Sequence, residues 1–427
     1  MITLPEQYGY KDVNELIDLS DFLDVPPFGN RAFSKRKGEG LCYKFWKDKD
    51  QNGYVFQTSY YVGVDWLIEG KKAIYVEPKQ NDGEIQINYL KMLLDAFNEN
   101  SDLKHLEELF EVDFDKPTIE IEQQQDLLTP LLVIQYFQLL KRIVRKGLRK
   151  SYYKVDRNLN SRVKGKVLIN QTITKNLIKS KNTSTVCHFE EFGINSLENK
   201  ILKKAFNFCR AILSNSNFDG DKLVSDYANF IQPALEQVDE EVNILDLRHI
   251  KPNPLYPEYE QSLKLAKIIL KKYGYSISRI SNQKILTPPF WIDMSKLFEL
   301  YVYSKLKLQF PLPGEVIYHP SVNRLEPDFL IRSKDGHFVM VVDAKYKPQY
   351  VDNTITVDDA RQISGYARLK MVYELLQESD MSKVIECLII FSDQNSLDEL
   401  DKRDFRSFPE KSYVSLYKIG VRLPSLI

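Results

Sequence analysis

The stretch Glu326–Lys347, EPDFLIRSKDGHFVMVVDAKYK, decides how this chain reads. FLIR has the pattern of a strand, SKDG of a turn with a late Gly, and HFVMVV of a second strand, apolar throughout as a centrally buried strand would be. The segment predicts a hairpin. Side chains alternate along a strand, so Asp343 and Lys345 leave one face together while Ala344 points away. With Asp328 at the start of the first strand, two carboxylates and an ammonium converge at strand ends. Two carboxylates held close together repel each other, and a protein rarely keeps such a pair without a cation between them. The pattern predicts a site for a hard divalent metal.

The flanks supply context. TPPFWIDMSKLFELYVYSKL, from Thr287, breaks at Pro288 and Pro289 and then reads as a helix with Leu297, Leu300, Val302 and Leu306 apolar and Glu299 among them. Beyond the hairpin, TITVDDARQISGYARLKMVYELLQ predicts a helix that places Gln362 and Tyr366 on one face, at i and i+4. VIECLIIF and SYVSLYKIGV follow as strands. The order helix, strand, strand, helix, strand, strand fits an α/β core with a mixed sheet.

A chain of 427 residues exceeds a usual single core, so two or three domains are expected. Lys plus Arg and Asp plus Glu number 59 each, which excludes a polycation drawn indiscriminately to nucleic acid. Any such affinity comes from local patches. The four Cys, at 42, 187, 209 and 387, show no CxxC spacing, which argues against a disulfide framework and a structural zinc site and fits a reducing cytoplasm. The start MITLPEQYGYKDVNE has no basic segment followed by an apolar run, and no later window is apolar for a bilayer's width. The expectation is a soluble, cytoplasmic protein that does not span a membrane.

Residues 1–125 read as a β-rich domain. LCYKFW, YVFQTSYYVGVDWLI and KKAIYVEPK alternate or run apolar between turn signals such as QNG and EGKK, and NYLKMLLDAFNE reads as a helix. The basic stretch NRAFSKRKGEG is either a solvated loop or a contact loop for a partner or for phosphate, carried by Arg31, Lys35, Arg36 and Lys37.

Residues 126–285 read as a mainly helical, basic connector. Val133, Phe137, Leu140, Val144 and Leu148 form one apolar stripe from Leu127 to Lys150, and Arg145, Arg149 and Lys150 belong to the remainder. Cations near a helix C-terminus complement its dipole. The run nevertheless continues through KSYYKVDRNLNSRVKGK, with Arg162, Lys164 and Lys166, longer than stability alone requires, and predicts a nucleic-acid or nucleotide-related contact. Three further helices follow, from Asn195 or Ser196, through DKLVSDYANFIQPALEQV with Pro233 ending or kinking it, and through PLYPEYEQSLKLAKIILKKYGY to Gly274. No GxxxxGK[ST] loop occurs, so no nucleotide is expected to bind this chain itself.

Glu299 on a helix, Pro327-Asp328, Asp343-Ala344-Lys345, then Gln362 and Tyr366 on the next helix resemble the PD-(D/E)xK nuclease core. YYVGVDWL followed by YVEPK, then GLRKSYY, RVKGKV, NSLENKILKKA, DMSKLFELYV and VVDAKYK are similar, in that order, to segments of McrC, the nuclease subunit of McrBC modification-dependent restriction systems. The resemblance implies an α+β, multidomain chain whose residues 286–427 form an endonuclease domain and whose residues 1–125 dock on a partner. It also implies that partner, a hexameric McrB-like AAA+ GTPase whose hydrolysis is stimulated, and a substrate, modified double-stranded DNA. In that family the docking domain would draw Arg31–Lys37 to the motor rather than to DNA.

Phosphodiester hydrolysis needs a water deprotonated near neutral pH, stabilisation of charge on the phosphate, and help for the leaving oxygen. Carboxylate-bound Mg²⁺, with Mn²⁺ as a substitute, supplies the first two. The expected ligands are Asp328 and Asp343, with the Ala344 carbonyl as a further ligand and Glu299 acting through water or a second ion. Lys345 would orient the water or stabilise the phosphate, and Gln362 and Tyr366 would position Lys345 or the backbone. The alternatives are a non-cleaving regulatory subunit of an AAA+ NTPase and a stand-alone nuclease.

Overall fold

The computed structural model describes residues 1–9, 16–19, 25–34, 40–48, 53–78, 87–96, 109–122, 126–214, 222–242, 256–274, 284–320, 325–347, 354–396, 400 and 404–425. They form two compact units, one made of Met1–Leu128 with Asn282–Ile427 and the other of Thr129–Ser281. The segments read from sequence as separate first and last domains thus share one unit.

In the first unit, strands β1 (Ile2–Pro5), β5 (Tyr61–Ile68), β6 (Lys72–Glu77), β7 (Phe110–Val112) and β13 (Phe290–Asp293) make a five-stranded sheet in the order β1-β6-β5-β13-β7. A three-stranded sheet, β2 (Phe28–Ala32), β3 (Leu41–Lys47) and β4 (Tyr54–Thr58), shares its core. Phe45, Phe56, Tyr61, Ile74, Val76 and Trp291 are buried in that core together. FWID, expected to open a helix, is instead the strand β13, hydrogen-bonded on both sides, to β5 and to β7. Its aromatic and β-branched residues suit a buried strand, and tertiary pairing overrides the helical reading. Gly63 permits the pairing, because a Cβ there would stand 2.0 Å from the Phe290 carbonyl oxygen.

The second sheet of this unit contains β14 (Val316–Tyr318), β15 (Phe329–Arg332), β16 (Val339–Lys345), β17 (Glu386–Ser392) and β18 (Leu416–Val421), in that order. The first three are antiparallel neighbours and the last three parallel ones, so the sheet is mixed, as expected. β15 and β16 form the hairpin, with Phe329 opposite Val342 and Arg332 opposite Val339. Gly336 takes φ +68° in the turn, a conformation open to Gly at no steric cost. Val339 and Val341 pack with Ala360 and Ile363 beneath the helix Val357–Tyr366. The helix Met294–Gln309 buries Met294, Leu297, Phe298, Leu300, Tyr301, Val302, Ser304 and Leu306, nearly all round, as a helix enclosed by other elements must. It packs on β16 and on the helix Tyr89–Ala96.

The second unit holds the helices Leu128–Lys146, Leu197–Ser214, Lys222–Leu235 and Pro257–Gly274. It is less purely helical than its sequence suggests. β9 (Ser151–Asn160) and β11 (Ser184–Gly193) pair antiparallel over ten residues each, and β10 (Lys166–Val167) adds a short third strand. The charged, exposed side chains of β9 mask its alternation in the sequence. Asn199, in the NSLENK segment, is fully buried and its amide donates to the carbonyls of Arg149 and Ile194, while Tyr259 OH donates to its side-chain oxygen. Such a satisfied buried amide specifies how this unit packs.

Candidate functional site

Three strand ends and two helices meet at one end of the mixed sheet. β14 and β15 run antiparallel with Tyr318 opposite Phe329, and the His319 N–H donates to the Asp328 carbonyl at 2.9 Å. β15 in turn runs antiparallel to β16, which brings Asp328 beside Asp343, Ala344 and Lys345. The Ala344 N–H donates to Asp328 Oδ2 at 2.7 Å. Asp343 is 1% exposed, and Lys345 Nζ lies 2.8 Å from its Oδ2. Among the sequence-predicted residues, Asp328, Asp343, Ala344, Lys345, Gln362 and Tyr366 are thus tied into one cluster, for Lys345 Nζ donates to Gln362 Oε1 at 3.0 Å and Gln362 Nε2 to Tyr366 OH at 2.8 Å.

Glu299 enters from the Met294–Gln309 helix, which begins at the N-cap Asp293, whose side chain accepts from the Lys296 N–H. Its carboxylate contacts His319 Nε2 and lies 3.4 Å from Lys296 Nζ. Glu299, His319 and Asp328 each present one ligand atom within 4.8 Å of the others. Donors about 2.1 Å from one ion stand roughly 3 to 4.2 Å apart, so this spacing suits a single cation.

The electrostatics agree with a cation site. Burial and the charges of Asp343 and Glu299 push Asp328 well above the usual carboxylate range. Burial also raises Asp343, against the pull of Lys345. At Glu299 burial is outweighed by His319 and Lys296, which hold its carboxyl below the usual range. Burial pulls Lys345 down, but Asp343, Asp328 and Asp359 more than offset it and keep the ammonium protonated. Two adjacent buried carboxyls, both pushed up by burial and Asp328 also by the Asp343 charge, form a donor set that a divalent cation relieves.

Sequence reasoning missed three participants. Lys296 lies one turn before Glu299, on the same helix face, with Nζ 3.1 Å from His319 Nε2. Asp359 is one turn before Gln362, 6% exposed, and its carboxylate lies 3.7 Å from Lys345 Nζ and 2.8 Å from Lys347 Nζ. Extending the Gln362–Tyr366 face backwards would have found it. No sequence signal marks His319, which stands in an irregular segment nine residues before Asp328.

The residues read as DNA or partner contacts lie elsewhere. Arg31 is engaged inside its own unit, 2.7 Å from Glu111 and 3.3 Å from Asp65, tying the three-stranded sheet to the five-stranded one. Lys35, Arg36 and Lys37 lie outside the described residues. Arg149 packs over Tyr256, and its N–H donates to Tyr259 OH. Arg145 and Lys150 are exposed near the end of the Leu128–Lys146 helix, and Arg162, Lys164 and Lys166 are exposed where the chain turns back after β9, with Lys166 paired to His188 of β11 and Lys164 Nζ 3.8 Å from Glu191, which faces Tyr153 near the start of β9.

No described helix is long and apolar enough to cross a membrane. No curated protein sequence matches this chain. Among solved structures, the chain is similar to a refined half-complex from a tetradecameric assembly of Thermococcus gammatolerans McrB AAA+ hexamers with bound McrC, at 18% identity and a TM-score of 0.37, over 99% of this chain and 94% of that one. It is also similar to the cryo-EM structure of the Thermococcus gammatolerans McrBC complex, at 17% identity and a TM-score of 0.29, over 72% of this chain and 87% of that one. A family model described as McrBC 5-methylcytosine restriction system component matches residues 56–374, from β4 through the hairpin and the Gln362 helix, and by that match this chain belongs to the McrBC 5-methylcytosine restriction system component family.

Proposed function

We propose that this chain is the McrC-type endonuclease subunit of its restriction system, a PD-(D/E)xK nuclease that hydrolyses phosphodiesters of modified double-stranded DNA. It works in the cytoplasm with a hexameric McrB-like AAA+ GTPase, whose hydrolysis it stimulates. The observation that carries the reading is the convergence of Glu299, Asp328, Asp343 and Lys345 at one sheet end, with Lys345 held by Gln362. Asp328, Asp343, Glu299 and the Ala344 carbonyl are the residues that would hold Mg²⁺ or Mn²⁺. A bound divalent cation supplies Lewis acidity, which eases deprotonation of water and offsets charge on the phosphate.

The chain's own groups do the rest. Lys345, kept protonated by its carboxylate neighbours, is a donor rather than a base, and it directs a positive charge at the phosphate as that group gains negative charge. Gln362 fixes the Lys345 ammonium, and Tyr366 fixes Gln362. In the reaction a new bond forms between water oxygen and phosphorus, the bond to the leaving sugar oxygen breaks, and that oxygen takes up a proton.

Cleavage of methylated DNA by the full chain with its AAA+ partner, GTP and Mg²⁺ tests this. Asp343→Ala and Lys345→Ala should each lower the rate at least about 100-fold without altering GTPase stimulation, which reports that the variants fold. Undiminished cleavage by either variant sinks the assignment, and a wild type that stimulates hydrolysis but never cuts makes the chain regulatory. The chain alone with Mg²⁺ should cut little.

A further inference from the structure

Resting on the reading of this site as a divalent-cation centre, we infer that His319 is a ligand, so that the site prefers Mn²⁺, or a borderline ion such as Co²⁺, to Mg²⁺. The imidazole Nε2 faces the Glu299 carboxylate, and Glu299, His319 and Asp328 offer donor atoms within 4.8 Å of one another. The other ring nitrogen, Nδ1, faces Glu326 Oε2 at 3.9 Å. That is an ion-pair distance rather than a hydrogen bond, and a carboxylate on this side of the ring favours a positive charge or a bound cation on the other nitrogen.

The backbone supports the same assignment. His319 takes φ +46°, a left-handed conformation that non-Gly residues adopt at a cost and that concentrates at functional sites. Its N–H bond to the Asp328 carbonyl locks the two residues side by side, and the edge-on contact with the Tyr318 ring, at 4.5 Å between centroids, orients the imidazole. A histidine present only as an ion-pair partner for Glu299 needs neither the strain nor the Glu326 carboxylate. Lys296 Nζ, 3.1 Å from Nε2, is the group that a cation at this position would displace or repel.

Imidazole nitrogen favours transition ions, whereas an all-oxygen set suits Mg²⁺ equally well. His319 therefore sets selectivity rather than bare affinity.

Calorimetric titration of the full chain with MnCl₂ and with MgCl₂, without DNA, tests the idea. The wild type should bind Mn²⁺ about 10-fold more tightly than Mg²⁺. His319→Asn, chosen because Asn tolerates the left-handed backbone, should weaken Mn²⁺ binding about 10-fold or more and leave Mg²⁺ nearly unchanged. Glu326→Gln should weaken Mn²⁺ in the same sense but less. Pulsed electron paramagnetic resonance of Mn²⁺ bound to wild-type protein should show coupling to an imidazole nitrogen, a readout independent of how any variant folds. Mn²⁺ binding that is lost in Asp328→Asn but intact in His319→Asn, with no nitrogen coupling, overturns this inference and leaves the cation site standing. Absence of any Mn²⁺ or Mg²⁺ binding by the wild type overturns both.

Discussion

Asp328 bears the heaviest electrostatic load of the site, because burial, Asp343 and Glu299 all oppose its ionisation. A carboxyl whose folded pKa is raised binds more protons in the native than in the unfolded state, so without metal its contribution to stability falls as pH climbs above the unfolded value of about 3.9. At neutral pH in chelator, Asp328→Asn should therefore raise the melting temperature, by roughly 2–4 °C if about 1 kcal/mol is relieved, while cleavage is lost. Added Mn²⁺ should stabilise the wild type and not the variant. A lower melting temperature for the variant in chelator would show that the acid is not strained there. Asp359 stands differently: its carboxylate lies 3.7 Å from Lys345 Nζ and 2.8 Å from Lys347 Nζ, where it can position Lys345. Asp359→Asn should slow single-turnover cleavage about 10- to 100-fold with Mn²⁺ affinity unchanged, since small misplacements of a reacting group carry penalties of that order. An equal loss of metal binding would mark a general collapse of the site instead.

The decisive element is β13 with the helix it feeds. Trp291 is fully buried and its Nε1 donates to Asp65 Oδ2 at 3.3 Å, so the start of the Glu299 helix is held in the N-terminal five-stranded sheet. Asp293 ends that strand and caps the helix. Asp293→Ala should remove about 1 kcal/mol of stability, a fall in melting temperature of roughly 2–4 °C by calorimetry, and should loosen Glu299 with it. The hairpin, the helices around Glu299 and Gln362 and the strands β17 and β18 were legible, because each carries a strong local period or turn signal. FWID was not legible as a strand, since four residues followed by a helical pattern lack a period of their own, and their partners lie more than 170 residues away. β9 was hidden for the opposite reason, its alternation being overlaid with charge.

At the scale of the molecule, the second unit is an insertion into a hairpin of the first. β8 (Ile119–Glu122) pairs antiparallel with β12 (Lys284–Thr287), with Glu122 directly opposite Lys284, so the chain leaves and re-enters at one place. Residues facing each other in an antiparallel ladder stand about 4.5–5.5 Å apart, a gap a two-residue turn spans. Replacing residues 123–283 by Asn-Gly should yield a cooperatively melting protein that still binds Mn²⁺. Residues 286–427 alone should fail to fold, because β13 and the Met294–Gln309 helix would lose the sheet and the helix that cover them. A cooperative calorimetric transition from that shorter fragment would contradict the shared core.

The sequence by itself determined the hairpin, the mixed sheet around it and the strands and helices that carry Asp328, Asp343, Lys345, Glu299, Gln362 and Tyr366, because alternation, helical spacing and charge type act over a few residues. Helical spacing also reaches Lys296 and Asp359, one turn from Glu299 and Gln362, whereas only the tertiary structure decided that Arg31 is an internal ion-pair partner, that the first and last thirds share one unit, and that His319 joins the site. Those contacts bring together residues distant along the chain, and no local period records which ones will meet.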